Sequence, residues 1–431
     1  MPGMIRGIGV IALFFALRIG CALLLLKLAA SQLSVGGFAD LSQYLAFASL
    51  VTLLAVGGVQ NGLIRQVAAS GSRIELVETL TAAGAIWVVA SAALLLAALV
   101  GANSIAVILV GHKGDPLVII ALTAIAILAG PGQIRCSTLS GRGRMIASLA
   151  IQGLGLALGT AGAALLTWRG QPAAAALAFA CGSVVPSLPV IGDVWGGWIR
   201  PPMQAVALHI RQLVRFSIAF GAVSAAAPLT LFALRFQYRE TFGQTALAHW
   251  LSANRISDLS TQLIGLFMVQ IFVPKLARMP DPEARRRFIL ACGFAGMAVM
   301  AVPLVIFSVA AEPLVRLFLS PSFVPAIPAI QTYMAGDMLR IWTSMAIYTA
   351  FAHGKAERYA ALELLAVGSI AVLTILLMRE GFSTAPQWAY FATHAGFCIV
   401  LLAVVLPSRS ATASRMAQTA WRTLKTSARQ L

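Results

Sequence analysis

Long apolar stretches alternate with short polar gaps along the whole chain. Most stretches contain about twenty residues, the length an α-helix needs to cross the hydrocarbon core of a bilayer. Charged residues and Pro or Gly turns separate them, and no gap exceeds about twenty residues. The pattern predicts twelve transmembrane helices, at residues 7–29, 38–60, 79–102, 116–134, 146–168, 173–194, 212–235, 246–273, 288–310, 326–351, 359–378 and 386–407.

The longest gap divides these helices six and six. It lies at 195–211 and contains two Trp and two Pro residues. We therefore predict an all-α polytopic membrane protein with an N-terminal six-helix lobe at 1–194, a cytoplasmic linker at 195–211 and a C-terminal six-helix lobe at 212–407. A basic cytoplasmic tail follows at 408–431. Two halves that start on the same side of the membrane form a parallel repeat, an arrangement found in transporters.

The composition excludes a soluble protein. The 431 residues are 59% hydrophobic and 10% charged, with a mean hydropathy of +0.88, whereas soluble domains carry about a quarter charged residues. Lys and Arg outnumber Asp and Glu by 31 to 14, a net charge of +17. These cations lie between apolar stretches rather than on a polar face interspersed with aromatic residues, so we predict no nucleic-acid partner.

The basic residues also predict the orientation. Assigning the gaps alternately to the two sides of the membrane puts 21 Lys and Arg on one side and seven, including Arg235 and Arg239, on the other. The side with 21 is cytoplasmic by the positive-inside rule. We therefore expect both termini in the cytoplasm and an uncleaved first helix.

Neither catalytic nor metal-binding motifs occur in the sequence. The five cysteines and five histidines are scattered, and no zinc-protease, serine-hydrolase or phosphate-loop motif is present. Gly153, Gly155, Gly159 and Gly162 follow no strand, and small residues at this spacing in an apolar helix allow close helix packing. We therefore predict a transporter without cofactor or metal, not an enzyme.

Charged residues inside a transmembrane helix are costly and are therefore candidates for function. Arg18 lies near the middle of the first helix, and its neighbours at i±3 and i±4 are uncharged. It either pairs with an acid from another helix or faces an anion, and its permanent charge and bidentate donor geometry favour the anion. Lys27 is either a second anion ligand or a lysine whose amine reaches the membrane interface. Asp40 is either a helix N-cap, which we favour, or the counter-ion of Lys27.

Two further arginines each have an acid three residues away. Arg255 with Asp258 and Asp337 with Arg340 fall at the i, i+3 spacing at which helical side chains meet. Each pair either neutralises itself or lines a hydrated cavity, where the Arg binds an anionic head group and the Asp modulates it or exchanges a proton. Polar residues that would complete such a wall are Asn254, Gln262, Gln270, Glu363, Tyr359 and His249.

An ordered series of short motifs runs through both halves. The first half contains Arg18-Ile19-Gly20, Lys27-Leu28, Asn61-Gly62, Arg65 and Val67-Ala68. The second half contains Trp250, Ile256-Ser257-Asp258, Gln262, Pro274, Leu276, Arg278, Gly336-Asp337, Leu339-Arg340, Tyr348, Tyr359 and Glu363.

In order and spacing these motifs resemble those of the Wzx-type translocases, closest to the enterobacterial common antigen and O-antigen members. These proteins flip undecaprenyl-pyrophosphate-linked oligosaccharides across the bacterial inner membrane. Their superfamily also includes multidrug and toxin exporters and the lipid II flippase. This chain departs from the pattern at Arg255, where family members can have a small polar residue, and at Arg18, where they can have lysine.

The resemblance implies two six-helix lobes that rock around a central cationic cavity, so that the cavity opens to each side in turn. The pyrophosphate and glycan would pass through the cavity while the polyprenyl tail stays in the lipid. A polysaccharide polymerase and a chain-length regulator would be partners. The pyrophosphate would be bound by Arg18, Lys27, Arg340 and Arg255; the polar cavity or coupling residues would be Asp258, Asp337, Asp40 and Glu363.

Two other functions compete with this one. A cation-coupled multidrug exporter would share the superfamily, but cationic drugs would be repelled by a cavity that contains Arg18, Arg255 and Arg340. A membrane glycan polymerase or ligase would handle the same lipid carrier, but such enzymes usually place their active residues in a large periplasmic loop, which this sequence lacks.

Overall fold

The computed structural model describes residues 2–56, 58–111, 114–188, 202–277, 279–353 and 355–405. All regular structure in these ranges is helical. Fourteen α-helices follow one another: α1 Pro2–Gln32, α2 Val35–Ala55, α3 Gln60–Ala69, α4 Arg73–Val110, α5 Pro116–Gly141, α6 Met145–Trp168, α7 Pro172–Gly182, α8 Met203–Phe267, α9 Val273–Ala277, α10 Pro282–Val309, α11 Ala311–Phe318, α12 Ile327–Ala352, α13 Ala356–Arg379 and α14 Ala385–Val405.

Helix α8 consists of two arms joined at one residue. Gly243 has φ +85° and ψ 171°, a backbone conformation outside the helical region that glycine adopts without steric cost. The arm before it, α8N (203–242), and the arm after it, α8C (244–267), correspond to the predicted helices at 212–235 and 246–273. α8N extends well beyond its predicted segment at both ends, whereas α8C starts two residues before its segment and ends six residues short of it.

Each of the twelve predicted transmembrane segments corresponds to a helix or to an arm of α8. Within the described ranges, eight helices are long and apolar enough by themselves to cross a membrane. The other four segments are α7, which is short and continues as a 3-10 turn at Val185–Ser187, the two arms of α8, and α12. Within α12, Asp337 and Arg340 lower the mean hydropathy.

Local sequence explains where two of the helices begin. The hydroxyl of Ser34 accepts a hydrogen bond from the Gly37 N–H at 3.1 Å and caps α2. The prediction that Asp40 is the N-cap is therefore wrong, because α2 begins five residues before it. Asp281 caps α10 by accepting hydrogen bonds from two backbone N–H groups, and Pro282 occupies the first helical position.

Helices α1–α7 pack on one another as an N-terminal lobe, and α8–α14 as a C-terminal lobe. In the N-terminal lobe, α6 lies directly against α7. A Cβ added at Gly155 would collide with the carbonyl oxygen of Gly182, and one at Gly159 would lie 2.7 Å from the carbonyl oxygen of Phe179. The predicted role of these glycines in close helix packing is thus confirmed.

At one end of the molecule, here called the sealed end, the two lobes contact each other. This end carries the loops at 33–34, 114–115 and 319–326. Helices α2 and α4 pack against α8 there, and α1 contacts α11. The rings of Phe38 and Phe323, one from each lobe, lie with centroids 4.8 Å apart. The sequence predicts that this end is periplasmic.

At the opposite end, the first turns of α8 pack on the N-terminal lobe. Val206 and Leu213 join an apolar cluster with residues of α3 and α4, and His209 Nε2 lies 3.4 Å from Glu78 Oε2. Residues 203–211 of the predicted linker are therefore helical. The rest of that linker and the predicted tail at 408–431 lie outside the described residues, apart from Pro202.

Candidate functional site

A central cavity of about 450 Å³ lies between the lobes. Helices α1, α2, α5, α6 and α7 form most of its wall, and α8C closes it from the C-terminal lobe. Among the described residues, Arg18 and Arg255 are the charged members of the lining, and none of the acids is part of it. Neutral polar side chains also face it: Ser42, Ser49, Gln133, Gln152, Ser183 and Gln262. The cavity is therefore cationic.

Arg18 is exposed to this cavity from the middle of α1. Within the part of the chain that the structure describes, its guanidinium makes no hydrogen bond or ion pair. The alternative predicted for Arg18, an ion pair with an acid from another helix, is therefore not formed among the described residues. As far as the described residues go, the donor N–H groups of this guanidinium can bind a ligand that enters the cavity.

Arg255 enters the same cavity from the opposite lobe. Its Nη2 donates to the Ser42 carbonyl oxygen at 3.1 Å, and its Nη1 lies 3.8 Å from Asp258 Oδ2. The predicted i, i+3 pair therefore meets, as expected on a helix. Because the Arg255 side chain is 34% exposed, the pair is partly hydrated and leaves part of the guanidinium free to face the cavity.

Lys27 lies outside the cavity lining, in the contact between the lobes. Its Nζ donates to the carbonyl oxygens of Arg316 and Leu319, each at 2.9 Å. These carbonyls belong to the last turn and C-cap of α11, where the helix dipole favours a cation. In this conformation Lys27 holds the sealed end together.

Asp40 lies beside this contact and also joins the two lobes. Its Oδ1 accepts a hydrogen bond from Gln244 Nε2 at 2.8 Å, just after the break in α8. The alternative in which Asp40 is the counter-ion of Lys27 stays a prediction.

A second cavity, of about 300 Å³, lies entirely within the C-terminal lobe, between α8, α12, α13 and α14. Its charged residues are Asp258, Arg340 and Glu363, so acids outnumber the single arginine. Aromatic side chains form much of the remaining wall: Trp250, Tyr333, Tyr348 and Tyr390. The sequence predicts Arg340 and Arg18 in one cavity, whereas the structure has them in two different cavities.

Arg340 and Asp337 are linked through a third side chain. Arg340 Nη1 donates to Thr261 Oγ1 at 2.8 Å and to the Tyr390 hydroxyl at 3.1 Å. The Tyr390 hydroxyl in turn donates to Asp337 Oδ1 at 2.6 Å, which also accepts from Ser257 Oγ at 2.8 Å. The direct pairing predicted for Asp337 and Arg340 is therefore replaced by a relay through Tyr390.

The acids of the C-terminal lobe differ in exposure. Asp337 is 1% exposed, and its Oδ2 has no hydrogen-bond partner among the described residues. Asp258 is 44% exposed and accepts from Asn254 Nδ2 at 3.1 Å. Glu363 faces the second cavity from α13. Asp258 and Glu363 are thus the acids that face this cavity among the described residues.

Sequence reasoning missed one residue of the second cavity and two residues of the contact between the lobes. Tyr390 gave no signal because aromatic residues are common in transmembrane helices. Arg235 and Arg239 were assigned to the outer side of the membrane, but they are 7% and 8% exposed and lie between the lobes. The predicted segment ends at 235, whereas α8N continues to 242. Arg235 and Arg239 therefore belong to the helix, and their side chains are buried rather than in a loop.

Comparison with known proteins identifies the fold. No protein-family model matches the sequence, and no curated protein sequence matches it. The solved structure of the lipid II flippase MurJ in an inward closed conformation is 12% identical over 92% of this chain and 87% of its own, with a TM-score of 0.70. An inward-facing multidrug resistance MATE family transporter of the MOP superfamily is 15% identical over 89% and 94%, with a TM-score of 0.66.

A third similar structure is a MOP superfamily transporter from Pyrococcus furiosus, described by a reverse polarity of its binding pocket that suggests a different function. It is 15% identical over 93% of this chain and 93% of its own, with a TM-score of 0.57. The chain therefore has the fold of MOP superfamily transporters, a multi-pass membrane fold. Because that fold includes both a lipid flippase and drug exporters, the cargo must be argued from the cavities.

Proposed function

We propose that this chain is a translocase that moves undecaprenyl-pyrophosphate-linked oligosaccharide from the cytoplasmic to the periplasmic leaflet of the inner membrane, for surface polysaccharide assembly of the enterobacterial common antigen or O-antigen type. The observation that carries the proposal is the central cavity, whose charged residues are Arg18 and Arg255. Because both charged residues described in the cavity wall are cations, the cavity favours a polyanionic head group as its ligand.

Arg18 and Arg255 divide the proposed binding site between the lobes. Arg18 belongs to α1 and Arg255 to α8C, so a pyrophosphate between them would contact both halves of the transporter. Guanidinium groups bind phosphate oxygens bidentately and do not lose their charge. In the predicted orientation, with both termini in the cytoplasm, the sealed end would face the periplasm, and the cargo would leave the central cavity through that end.

A cation-coupled multidrug exporter is the alternative, and the second cavity favours it. Acids and aromatic rings, such as Asp258, Glu363 and Tyr348, are what a cationic drug would bind. This cavity is smaller than the central one and lies within one lobe. We therefore assign the central cavity to the cargo and the second cavity to a coupling cation or proton.

The test is transport by the purified wild-type protein in proteoliposomes. We expect a short-chain polyprenyl-pyrophosphate oligosaccharide to become accessible to a lectin added on the far side, at a rate well above that of protein-free liposomes. A cationic dye in parallel vesicles should not move. Dye export without glycan exposure would replace the proposed function by the drug-exporter alternative.

The proposed coupling role of the second cavity predicts the effect of Asp258→Asn. The substitution removes one carboxylate from the cavity wall, so we expect gradient-driven flipping to fall about tenfold, the effect of one lost charge-assisted interaction. Flipping should be measured with and without an imposed Na⁺ or proton gradient. Glu357→Gln, at an exposed position in the first turn of α13, is the matched control and should respond to the gradient like the wild type. An unchanged response in Asp258→Asn would exclude the role.

A further inference from the structure

Two arginines of the C-terminal lobe donate to adjacent residues of α2. Arg255 binds the Ser42 carbonyl oxygen at 3.1 Å, and Arg235 Nη1 donates to Gln43 Oε1 at 3.3 Å. Both acceptors are neutral and belong to the opposite lobe. The two bonds therefore exist only while α2 lies against α8.

Arg239, one turn beyond Arg235, makes the same kind of contact. It donates to the carbonyl oxygens of Leu109 at 3.1 Å and Val107 at 3.0 Å, in the last turn of α4. Its only carboxylate contact among the described residues is Glu240 of its own lobe, at 3.3 Å, an acid whose side chain is 62% exposed. Across the lobes, Arg239 is thus also bound by neutral atoms.

Arg235 is the least compensated of the three. It is 7% exposed, and among the described residues its Nε has no hydrogen-bond partner and no carboxylate lies within ion-pair distance of it. Its guanidinium carbon lies 5.9 Å from the centroid of the Phe232 ring. A buried charge with so few partners lowers stability, so its presence indicates a function in another state of the protein.

The three arginines form a row from the central cavity towards the sealed end. Arg255 lines the cavity, and Arg239 reaches the end of α4 at the sealed end. Arg235 and Arg239 are four residues apart on α8N and share one face. Since all three belong to α8, they would stay together when the lobes separate at this end, while losing every acceptor that the opposite lobe provides.

We propose that Arg235 and Arg239, continuous with Arg255, form a second anion site that exists only when the sealed end is open, and that the pyrophosphate of the cargo occupies it on the way out. The site deepens the proposed function and rests on it. Phosphate oxygens would replace the lost neutral acceptors, so the cargo anion favours opening. Without an anion, opening would leave the three arginines without the acceptors of the opposite lobe, so the sealed end stays closed.

The test measures how strongly an anion shifts the equilibrium between the closed and open states. Spin labels at Ser31 and Ser322, exposed residues on opposite lobes at the sealed end, would report the distance in nanodiscs after replacement of the five native cysteines. The open-to-closed ratio is recorded without ligand, with farnesyl pyrophosphate, and with inorganic pyrophosphate to separate the lipid from the free anion. We expect farnesyl pyrophosphate to raise the ratio in the wild type.

Variants at the two sides of one contact separate an anion site from a mere lobe contact. Arg235→Gln should reduce the ligand-induced increase about tenfold, as expected for one lost charge-assisted bond, and Arg235→Lys should retain most of it. Gln43→Ala should raise the open population with and without ligand but leave the ligand-induced increase at its wild-type value. If Arg235 only held the lobes together, both variants would keep the wild-type increase, which would overturn the proposal.

Three measurements complete the test. Arg239→Gln should show the same loss as Arg235→Gln and provides a second variant if the first does not fold. Arg379→Gln removes an exposed cation at the end of α13 and should keep the wild-type increase. Equilibrium binding of farnesyl pyrophosphate to the wild type distinguishes the two proposals: absence of binding would overturn the proposed function, whereas binding with an unaltered response in Arg235→Gln would overturn only the second site.

Discussion

Arg18→Gln should reduce flipping of a polyprenyl-pyrophosphate oligosaccharide about 100-fold, the effect of losing two charge-assisted hydrogen bonds to phosphate. Arg18 is the cation of the central cavity that makes no hydrogen bond or ion pair within the described residues. Glutamine keeps the polarity and most of the volume but removes the charge. The measurement is lectin accessibility in proteoliposomes at equal protein incorporation.

Three controls isolate the charge at this position. Arg18→Lys keeps the charge but loses the bidentate geometry, so it should lie between Arg18→Gln and the wild type. Arg18→Glu places an acid in the cavity and should abolish transport. Arg379→Gln makes the same change in net charge at an exposed site and should flip at the wild-type rate. Wild-type flipping by Arg18→Gln would exclude Arg18 from pyrophosphate binding.

Gly155→Leu should destabilise the N-terminal lobe by about 3 kcal/mol and prevent accumulation of folded protein in the membrane. Even a Cβ at this position would collide with the carbonyl oxygen of Gly182, which belongs to a backbone that cannot move without separating α6 from α7. The expected result is a large loss of folded protein in size-exclusion chromatography and a lower unfolding temperature in detergent.

Gly368→Leu is the matched control for this substitution. Gly368 lies in α13, and a Cβ added there would have no atom within 4 Å. The same change in volume and helix propensity should therefore alter the free energy of unfolding by less than about 1 kcal/mol. Equal effects of the two substitutions would mean that glycine acts through helix propensity or flexibility rather than through close packing.

The sequence predicted what depends on local periodicity. Apolar stretches of membrane-spanning length located the helices. Glycine spacing predicted close packing of α6 on a neighbouring helix, and the i, i+3 rule predicted the contact between Arg255 and Asp258. Each of these properties is determined within a single helix or by its immediate surface. Tertiary structure did not alter them.

What the sequence could not show depends on residues far apart in the chain. Arg340 and Asp337 have the same spacing as Arg255 and Asp258, but the hydroxyl of Tyr390 from α14 bridges their side chains. Lys27 binds the carbonyls of two residues that follow it by 289 and 292 positions in the sequence. No periodicity encodes such contacts, so the division of the cations between two cavities and the sealed end came only from the structure.

The acceptors of Lys27 and Arg239 are main-chain carbonyls at the ends of α11 and α4. A backbone oxygen is present whatever side chain its residue carries. Natural variation at Val107, Leu109, Arg316 or Leu319 would therefore leave the lobe contact intact as long as the two helices keep their ends. Across related sequences, we expect the two cations to persist while these four positions drift, so that covariation analysis would not detect one of the main contacts between the lobes.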